Sequence, residues 1–390
     1  MRPLFVVFLT VTLDLVGWGI VIPLLPFYAQ EFGASPLEVT LLMGSYSLAQ
    51  FLGAPWWGRL SDRFGRRPVM LVSIAATAIS LALFATAPSL VLLFVYRSLH
   101  GFAAANIGIA QACVADLTTP ETRARGMGLV GAGYGVGFTL GPALGGVLSS
   151  FGLSVPLLVA AGLSVVNLGL ASLVLPETRH PGSMRSTRTI VPGALWRTLM
   201  HPTVGGVVAT LGMQVMAFAA MESCLALLAK ARHGYGPRDI GWLLVAVGTV
   251  SVVVQAGLLG RVVRRYGEGR AIAWGLAIFG LSLLLMAVVP GGWPFVGALS
   301  LAAVGQGLAN PSLTGLISRR TATDVQGEAL GAAQSVAALG RAIAPAIAGA
   351  LYTNVAPGAP YVAAGMWLWA AAALAPFLTA PRTRGEPIAP

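Results

Sequence analysis

Long apolar runs separated by short polar segments follow one another along almost the whole chain. An α-helix needs about 20 predominantly apolar residues to cross the hydrocarbon core of a bilayer. Runs of this kind are predicted at residues 4–28, 37–57, 68–87, 89–114, 125–150, 154–175, 203–229, 238–260, 271–290, 294–317, 327–352 and 360–379. The pattern therefore predicts an all-α membrane protein with twelve transmembrane helices.

The composition argues against a soluble protein. Of the 390 residues, 56% are hydrophobic and only 9% are charged, and the mean hydropathy is +0.80. The net charge of +11 would suit a nucleic-acid partner, but the basic residues lie in short segments between apolar runs, whereas a nucleic-acid footprint clusters on one face. The two cysteines lie in apolar runs, so no disulfide framework, metal site or cofactor is expected.

The first apolar run is predicted to be a retained span. It is longer than the core of a signal peptide. No small-residue cleavage site precedes Asp14. The chain is therefore expected to enter the membrane directly from a cytoplasmic N-terminus.

The basic residues determine the predicted orientation, because short loops rich in Lys and Arg stay on the cytoplasmic side. With both termini cytoplasmic, 19 of the 24 basic residues lie on that side. They are Arg2, Arg59, Arg63, Arg66, Arg67, Arg123, Arg125, Arg179, Arg185, Arg188, Arg197, Arg261, Arg264, Arg265, Arg270, Arg319, Arg320, Arg382 and Arg384. The outer segments hold Lys230, Arg232 and Arg238, and an odd number of spans would remove this asymmetry.

Residues 176–202 form the one long polar segment, rich in Pro, Arg and Thr, at the middle of the chain. Such a segment is typical of a flexible linker, here between a six-helix half at 1–175 and a second half at 203–390. The halves share a motif, since Gly58–Pro68 recurs as Gly260–Arg270. Parallel repeats of six spans are the layout of the major facilitator fold, which the sequence therefore predicts.

Four charged residues lie deep within predicted spans, away from their ends: Asp14, Arg97, Glu222 and Arg341. Charges at this depth are costly unless they face a cavity or a partner. Asp14 is a candidate proton carrier, although a structural carboxylate would also explain it. Glu222 is either a second proton site or a solvated group near the outer water. Arg97 needs a carboxylate or carbonyl partner, and Asp14 is one candidate.

The segment Gly58–Pro68 lies between two spans and contains glycines, arginines and one aspartate. Its candidate gating residues are Gly58, Asp62, Arg63, Gly65, Arg66 and Arg67. The second copy keeps the glycines and several arginines, but Arg264 stands where Asp62 stands in the first copy. The shared residues suffice for topology and for the turn, so Asp62 is the residue that points most directly to gating.

The fifth predicted span is rich in glycine. Its candidate motif residues are Gly137, Gly141, Pro142, Gly145 and Gly146. Small residues let helices approach closely, and a proline kinks a helix. Two compatible interpretations follow, close packing alone or packing that also forms a sealed and bendable gate.

These motifs resemble those of the drug:proton antiporters of the major facilitator superfamily, most closely the tetracycline/proton antiporters. The resemblance covers nearly the whole chain and is strongest in the first half. It rests on Asp14–Pro26, Gly58–Pro68, Arg97–Gly101 and Gly137–Gly146. The last of these resembles the fifth-span motif that separates exporters from symporters in the family, so the resemblance implies export, and a bacterial inner membrane.

The resemblance also implies roles for individual residues. Arg97 would assist proton relay near Asp14, and Asp62 would pair with nearby arginines and with the N-terminal end of the eleventh span. Two departures weaken tetracycline as the substrate. Tetracycline antiporters of this type carry an acid in the third span, where this chain has Ser80, and another in the ninth, where it has Phe279 or a neighbour.

The sequence therefore predicts a monomeric, proton-driven exporter of small lipophilic compounds that works by alternating access. The residues predicted to line its cavity, which simple packing would explain equally well, are Trp18, Met213, Met216, Phe218 and Met221. The alternative is a sugar or metabolite exporter or a proton symporter, whose spans are usually more polar. A membrane enzyme or receptor is disfavoured, because no nucleotide loop, metal cluster or nucleophile–base set is found.

Overall fold

The computed structural model describes residues 2–119, 122–178, 192–321 and 326–379, and within them the secondary structure is helical throughout. A π-helical segment, Val254–Leu258, joins two of the helices. In chain order the helices are α1 (Arg2–Val21), α2 (Leu25–Glu31), α3 (Pro36–Phe64), α4 (Arg66–Ala85), α5 (Leu90–Ala103), α6 (Ile107–Leu117), α7 (Arg123–Leu148), α8 (Ser154–Val174), α9 (Pro192–Met200), α10 (Gly205–His233), α11 (Pro237–Val253), α12 (Leu259–Tyr266), α13 (Glu268–Met286), α14 (Trp293–Arg320), α15 (Gln326–Asn354) and α16 (Ala359–Thr379). The prediction of an all-α protein is confirmed.

Among the described residues, nine helical stretches are long and apolar enough to cross a membrane. The three other predicted spans, at 37–57, 294–317 and 360–379, coincide with α3, α14 and α16. The predicted total of twelve transmembrane helices therefore stays a prediction for these three.

Three predicted spans are interrupted. The first ends at Val21 and resumes as α2, because Pro23 in the gap has no backbone N–H to donate. The fourth breaks at residues 104–106, between α5 and α6. The eighth passes through the π-helical segment between α11 and α12. The break in the fourth span brings a polar side chain, Asn106, into the middle of the membrane helix.

The segment Gly58–Pro68 was predicted to be a loop, and this prediction is wrong. α3 continues to Phe64 and α4 begins at Arg66, so only Gly65 is non-helical. Its φ of 104° lies in a region that glycine adopts readily and other residues do not. The apolar run ends before the helix does, because the run marks the edge of the hydrocarbon. Beyond that edge the helix continues, since arginine and leucine are good helix formers. Gly267, with a φ of 83°, performs the same role between α12 and α13.

The chain forms two compact units. The first contains Met1–Thr189 and Tyr235–Val245, and in it α1 packs against α7 and α8, α3 against α5, and α4 against α8. The second contains the remaining residues, and in it α10 packs against α15 and α16, and α13 against α14 and α16. The domain bounds expected from the sequence stay a prediction.

An apolar core in the first unit holds α1 beside the helices that carry its polar partners. Side chains from α1, α3, α4, α6, α7 and α8 meet in this core. Its largest members are Val7, Val11, Leu15, Trp57, Val69, Met70, Ile74, Ile109, Val114, Val130 and Leu175. Between membrane helices such contacts stabilise by close van der Waals packing, since lipid tails are as apolar as these side chains, so the core fixes the position of α1 by shape.

Candidate functional site

Asp14 lies half-buried in α1, and a side-chain amide donates to each of its carboxylate oxygens. Nδ2 of Asn106 lies 2.9 Å from Oδ2, and Nδ2 of Asn167 lies 3.0 Å from Oδ1. Hydrogen bonds to an ionised group are shorter and stronger than bonds between neutral groups. The two amides can therefore hold a carboxylate inside a spanning helix, and a proton that binds there weakens both bonds by removing the charge.

The two amides reach Asp14 from different helices. Asn106 lies in the break between α5 and α6 and is almost fully buried. Asn167 is fully buried in α8 and also donates to the backbone carbonyl of Thr10, at 3.1 Å. Neither asparagine was predicted from the sequence, where its only signal is a polar side chain inside an apolar run.

Arg97 is buried in α5 and contacts α3. Its Cζ lies 4.4 Å from the ring centroid of Tyr46, and Nη1 lies 3.2 Å from Nδ1 of His100. The rings of Tyr46 and His100 pack edge to face at 5.1 Å. A cation–π contact of this kind stabilises a guanidinium away from water. The predicted relay between Arg97 and Asp14 stays a prediction.

α7 places its glycine face directly against α1. A Cβ atom added to Gly141 would lie only 2.6 Å from Cα of Gly19, a distance that side chains do not reach without a shift of the backbone. Gly137 meets Leu15, and Gly145 meets the backbone of Ile20. These contacts hold α1, and with it Asp14, at the closest approach that two helices can make.

Two further contacts lie along the same helix. Trp18, a predicted cavity residue, packs against Phe138 with ring centroids 5.6 Å apart. Pro142 lies inside α7, and Gly146 packs closely against Gly241, which belongs to the same compact unit. The predicted motif thus forms a continuous face of small residues with helices packed on either side.

Arg66 joins two acidic residues where α3, α4 and α6 end or begin. Its Nη1 lies 2.6 Å from Oδ1 of Asp62, and its Nε lies 3.4 Å from Oδ2 of Asp116. Gly58 faces open space, and Arg63 is exposed. The structure therefore brings Asp62 and Arg66 together, as the resemblance implied, and adds Asp116, while Arg63 lies on another face.

Glu177 closes the start of α4. Its carboxylate accepts hydrogen bonds from the backbone N–H groups of Arg66 and Arg67, at 2.9 and 3.2 Å. An acid there complements the partial positive charge of a helix N-terminus. The carboxylate also occupies the space that a side chain at Gly65 would need. Nη2 of Arg67 donates to the carbonyl of Ser172 in α8, at 2.6 Å, so both arginines are used within the protein.

The candidate residues of the second half lie mostly on α10. They are Met213, Met216, Phe218, Met221 and Glu222. Glu222 is half-buried with Oε1 covered, and Arg341 is half-buried in α15. Between α14 and α10, Nδ2 of Asn310 donates to Oε1 of the fully buried Gln214, at 3.2 Å. This amide pair was not predicted from the sequence.

A family model described as Major Facilitator Superfamily matches residues 7–345 and 207–390. The chain is 34% identical over 355 residues to the class C tetracycline resistance protein of Escherichia coli, a match that covers 90% of this chain and 89% of that protein. It is 25% identical over 373 residues to the quinolone resistance protein NorA of Staphylococcus aureus, with 94% of each chain covered. These matches span nearly the full length of each relative.

The fold is shared with solved structures. The human organic anion transporter MFSD10 (TETRAN) superposes with a TM-score of 0.74 at 24% identity, over 97% of this chain and 99% of that one. The nucleoside transporter NupG superposes with a TM-score of 0.78 at 12% identity, over 97% and 98%. Identities this low show a common fold and nothing about the transported compound.

Proposed function

The chain belongs to the Major Facilitator Superfamily, as a transporter and not an enzyme, and from this premise we propose that it exports small lipophilic compounds in exchange for protons by alternating access. Support for export comes from relatives that are named for resistance to tetracycline and to quinolones. We further propose a monomer in a bacterial inner membrane, with both termini cytoplasmic and with residues 176–202 linking halves at 1–175 and 203–390.

The observation that carries the proposal is the carboxylate of Asp14, held by two amides inside a helix long and apolar enough to cross the membrane. A carboxylate at this depth is retained only where it has partners and a use. The two bonds come from the break before α6 and from α8, so protonation of Asp14 weakens the contacts of α1 with both. A proton bound at Asp14 can thereby change how α1 packs.

The cluster around Arg66 supports a gating role at the other end of the same unit. Asp62 and Asp116 share one guanidinium, so a movement of α3 relative to α6 must break an ion pair. We propose that Asp62 forms a latch with Arg66. Its other predicted partner, the start of the eleventh span, lies outside the residues whose side chains the structure describes. Arg63 and Arg67 are assigned no gating contact.

The absence of acids at two positions bears on the substrate. Ser80 donates to the carbonyl of Thr77 in its own helix, and Phe279 is fully buried. Neither side chain supplies the acid that tetracycline antiporters of this type carry at that position. We therefore propose a broader range of lipophilic drugs, with the side chains of Met213, Met216, Phe218 and Met221 as candidate contacts.

The test uses the purified chain in liposomes that hold a pH-sensitive dye. Addition of a transported drug, with ethidium, norfloxacin and tetracycline as probes, should release protons in proportion to the drug moved. Asp14→Asn keeps the size of the side chain and removes its ionisation. We expect it to lower gradient-driven transport by at least about tenfold, a loss of only ~1.4 kcal/mol of coupling.

Two controls separate this result from damage to the fold. Glu31→Gln removes an exposed acid on α2 and should leave transport unchanged. Glu222→Gln should alter the number of protons per drug molecule only if Glu222 is a second proton site. Full proton-coupled transport by Asp14→Asn would falsify the assigned role, and drug accumulation above the outside level in intact cells would favour the symporter alternative.

A further inference from the structure

One exposed face of α3 changes from apolar to basic along its length. Leu52, Trp56, Arg59 and Arg63 follow one another at intervals of four, three and four residues, which places them on the same side of a helix. Leu52 is 63% exposed and Trp56 48%, and both arginines are exposed. By the predicted orientation, this stripe runs from membrane depth to the cytoplasmic surface.

A groove of about 550 Å³ opens beside the apolar part of the stripe. Ala49 and Leu52 of α3 form one wall, and one face of α5 from Phe94 to Phe102 forms the other. All of the lining side chains are apolar except that of Ser98. Phe102 packs against Trp56 with ring centroids 5.3 Å apart, so the groove leads directly to the aromatic residue of the stripe.

The arginines of this region divide into two sets. Arg66 and Arg67 are bound by acids and carbonyls of the protein. Arg59 has no hydrogen-bond or ion-pair partner within the described part of the chain, and Arg63 contacts only the ring of Phe64, at 5.2 Å. Two permanent positive charges therefore stand side by side at the end of an apolar groove with their donors available.

We propose that this face binds an anionic glycerophospholipid, with an acyl chain in the groove between α3 and α5 and the phosphate on Arg59 and Arg63. The side chains along the stripe change from apolar to aromatic to cationic, which is the order of the acyl chain, the interface and the phosphate in an anionic lipid. Trp favours the depth of lipid headgroups, and basic residues next to a span attract anionic lipids. From Leu52 to Arg63 the helix rises roughly 16 Å, which suits a lipid lying along it.

The repeated segment provides a matched comparison. Arg261 and Arg265 stand at the repeat positions of Arg59 and Arg63, and both are exposed. The position of Leu52, however, is taken by Val254, which is only 4% exposed. Leu258, which is 39% exposed, stands at the position of Trp56. The second segment thus has the same two charges but neither the exposed Leu52 nor the tryptophan, so it separates lipid binding from simple attraction of anions.

The test measures lipid binding and does not depend on transport. The full chain in detergent is titrated with phosphatidylglycerol, phosphatidylcholine or inorganic phosphate, and bound lipid is counted by native mass spectrometry. Arg59→Gln/Arg63→Gln should weaken phosphatidylglycerol binding by about tenfold or more. Arg261→Gln/Arg265→Gln should change it by less than about twofold. Arg59→Lys/Arg63→Lys keeps both charges and should restore most of the binding.

A second variant tests the groove. Leu52→Ser removes the apolar wall without touching the arginines, and should weaken phosphatidylglycerol while leaving any phosphate binding unchanged. The proposal is overturned if both arginine pairs contribute equally, if phosphatidylcholine binds as well as phosphatidylglycerol, or if inorganic phosphate at the same concentration displaces the lipid. Thermal unfolding of each variant in detergent checks that a loss of binding is not a loss of fold.

Discussion

The two halves of the chain carry the same ion pair with its charges exchanged. In the first half, Arg66 at the start of α4 pairs with Asp116 at the end of α6. In the second, Glu268 at the start of α13 pairs with Arg319 at the end of α14. In both, the first residue after a helix-breaking glycine reaches the end of the next membrane helix. Both halves thus keep an ion pair at this place, although the helix that carries the positive charge differs between them. This indicates that the pair itself is structural.

The third member of the cluster differs between the halves. Asp62 lies 2.6 Å from Arg66, so in the first half one arginine is shared by two acids. The corresponding residue in the second half is Arg264, which is exposed. The ion pair that both halves share holds the start of one membrane helix to the end of the next. Only the first half adds a second acid, Asp62, on the same arginine.

The membrane interior shows a second difference of the same kind. Asn106 donates to Asp14 in the first unit, and Asn310 donates to Gln214 in the second, in corresponding helices. The first is a bond to a carboxylate and the second is a bond between neutral amides. Nε2 of Gln214 is buried without a hydrogen-bond partner among the described residues. The repeat therefore preserves the polar contact, and at this contact a titratable group is present only in the first half.

The largest loss of stability and transport is expected when the hydrogen bond between Asn106 and the carboxylate of Asp14 is removed. Asn106→Ala leaves one oxygen of a carboxylate without its amide, and should lower stability by about 1.5–3 kcal/mol and proton-driven transport by about tenfold or more. Asn310→Ala removes a bond between neutral groups and should cost only about 1 kcal/mol. Thermal unfolding in detergent and transport in liposomes measure both. Equal losses in the two variants would contradict the difference drawn between the halves.

A smaller effect is expected from the third member of the cluster. Asp62→Asn removes the acid that the second half lacks, and transport should fall several-fold while expression and membrane insertion hold, because Asp116 still pairs with Arg66. Arg264→Asn is the matched change in the second half and should leave transport near its original rate. The idea of a one-sided latch fails if the Arg264 variant loses as much transport as the Asp62 variant.

The smallest effect is expected from the exchanged ion pairs themselves. The side chain of Arg319 is 63% exposed, and exposed pairs contribute at most about 1 kcal/mol, which salt screens. Glu268→Gln should therefore shift the unfolding temperature slightly, and the shift should shrink at high salt. Arg66→Gln should produce a larger and less salt-sensitive shift, since its side chain is only 16% exposed and serves two acids.

Much of the architecture followed from the sequence, because hydrophobicity acts over whole runs of residues. Asp14, Arg97 and Glu222 were found for the same reason, since a charge within an apolar run is conspicuous without any structure. The extent of α3 was mispredicted because the apolar run ends at the edge of the membrane, whereas the helix continues to Gly65. The end of a helix depends on backbone conformation, whereas hydropathy indicates only whether a segment lies in lipid or in water.

The partners of the charged residues could not be predicted. Asn106, Asn167 and Glu177 are ordinary polar residues until the fold brings them to Asp14 and to the start of α4. Likewise, arginines that look equivalent in the sequence separate into Arg66 and Arg67, which the protein binds, and Arg59 and Arg63, which it leaves exposed. The sequence by itself determined the solvent of each segment, the repeat and the buried charges. The tertiary structure decided which groups meet, because those contacts join residues far apart in the chain and depend on how helices are rotated and packed.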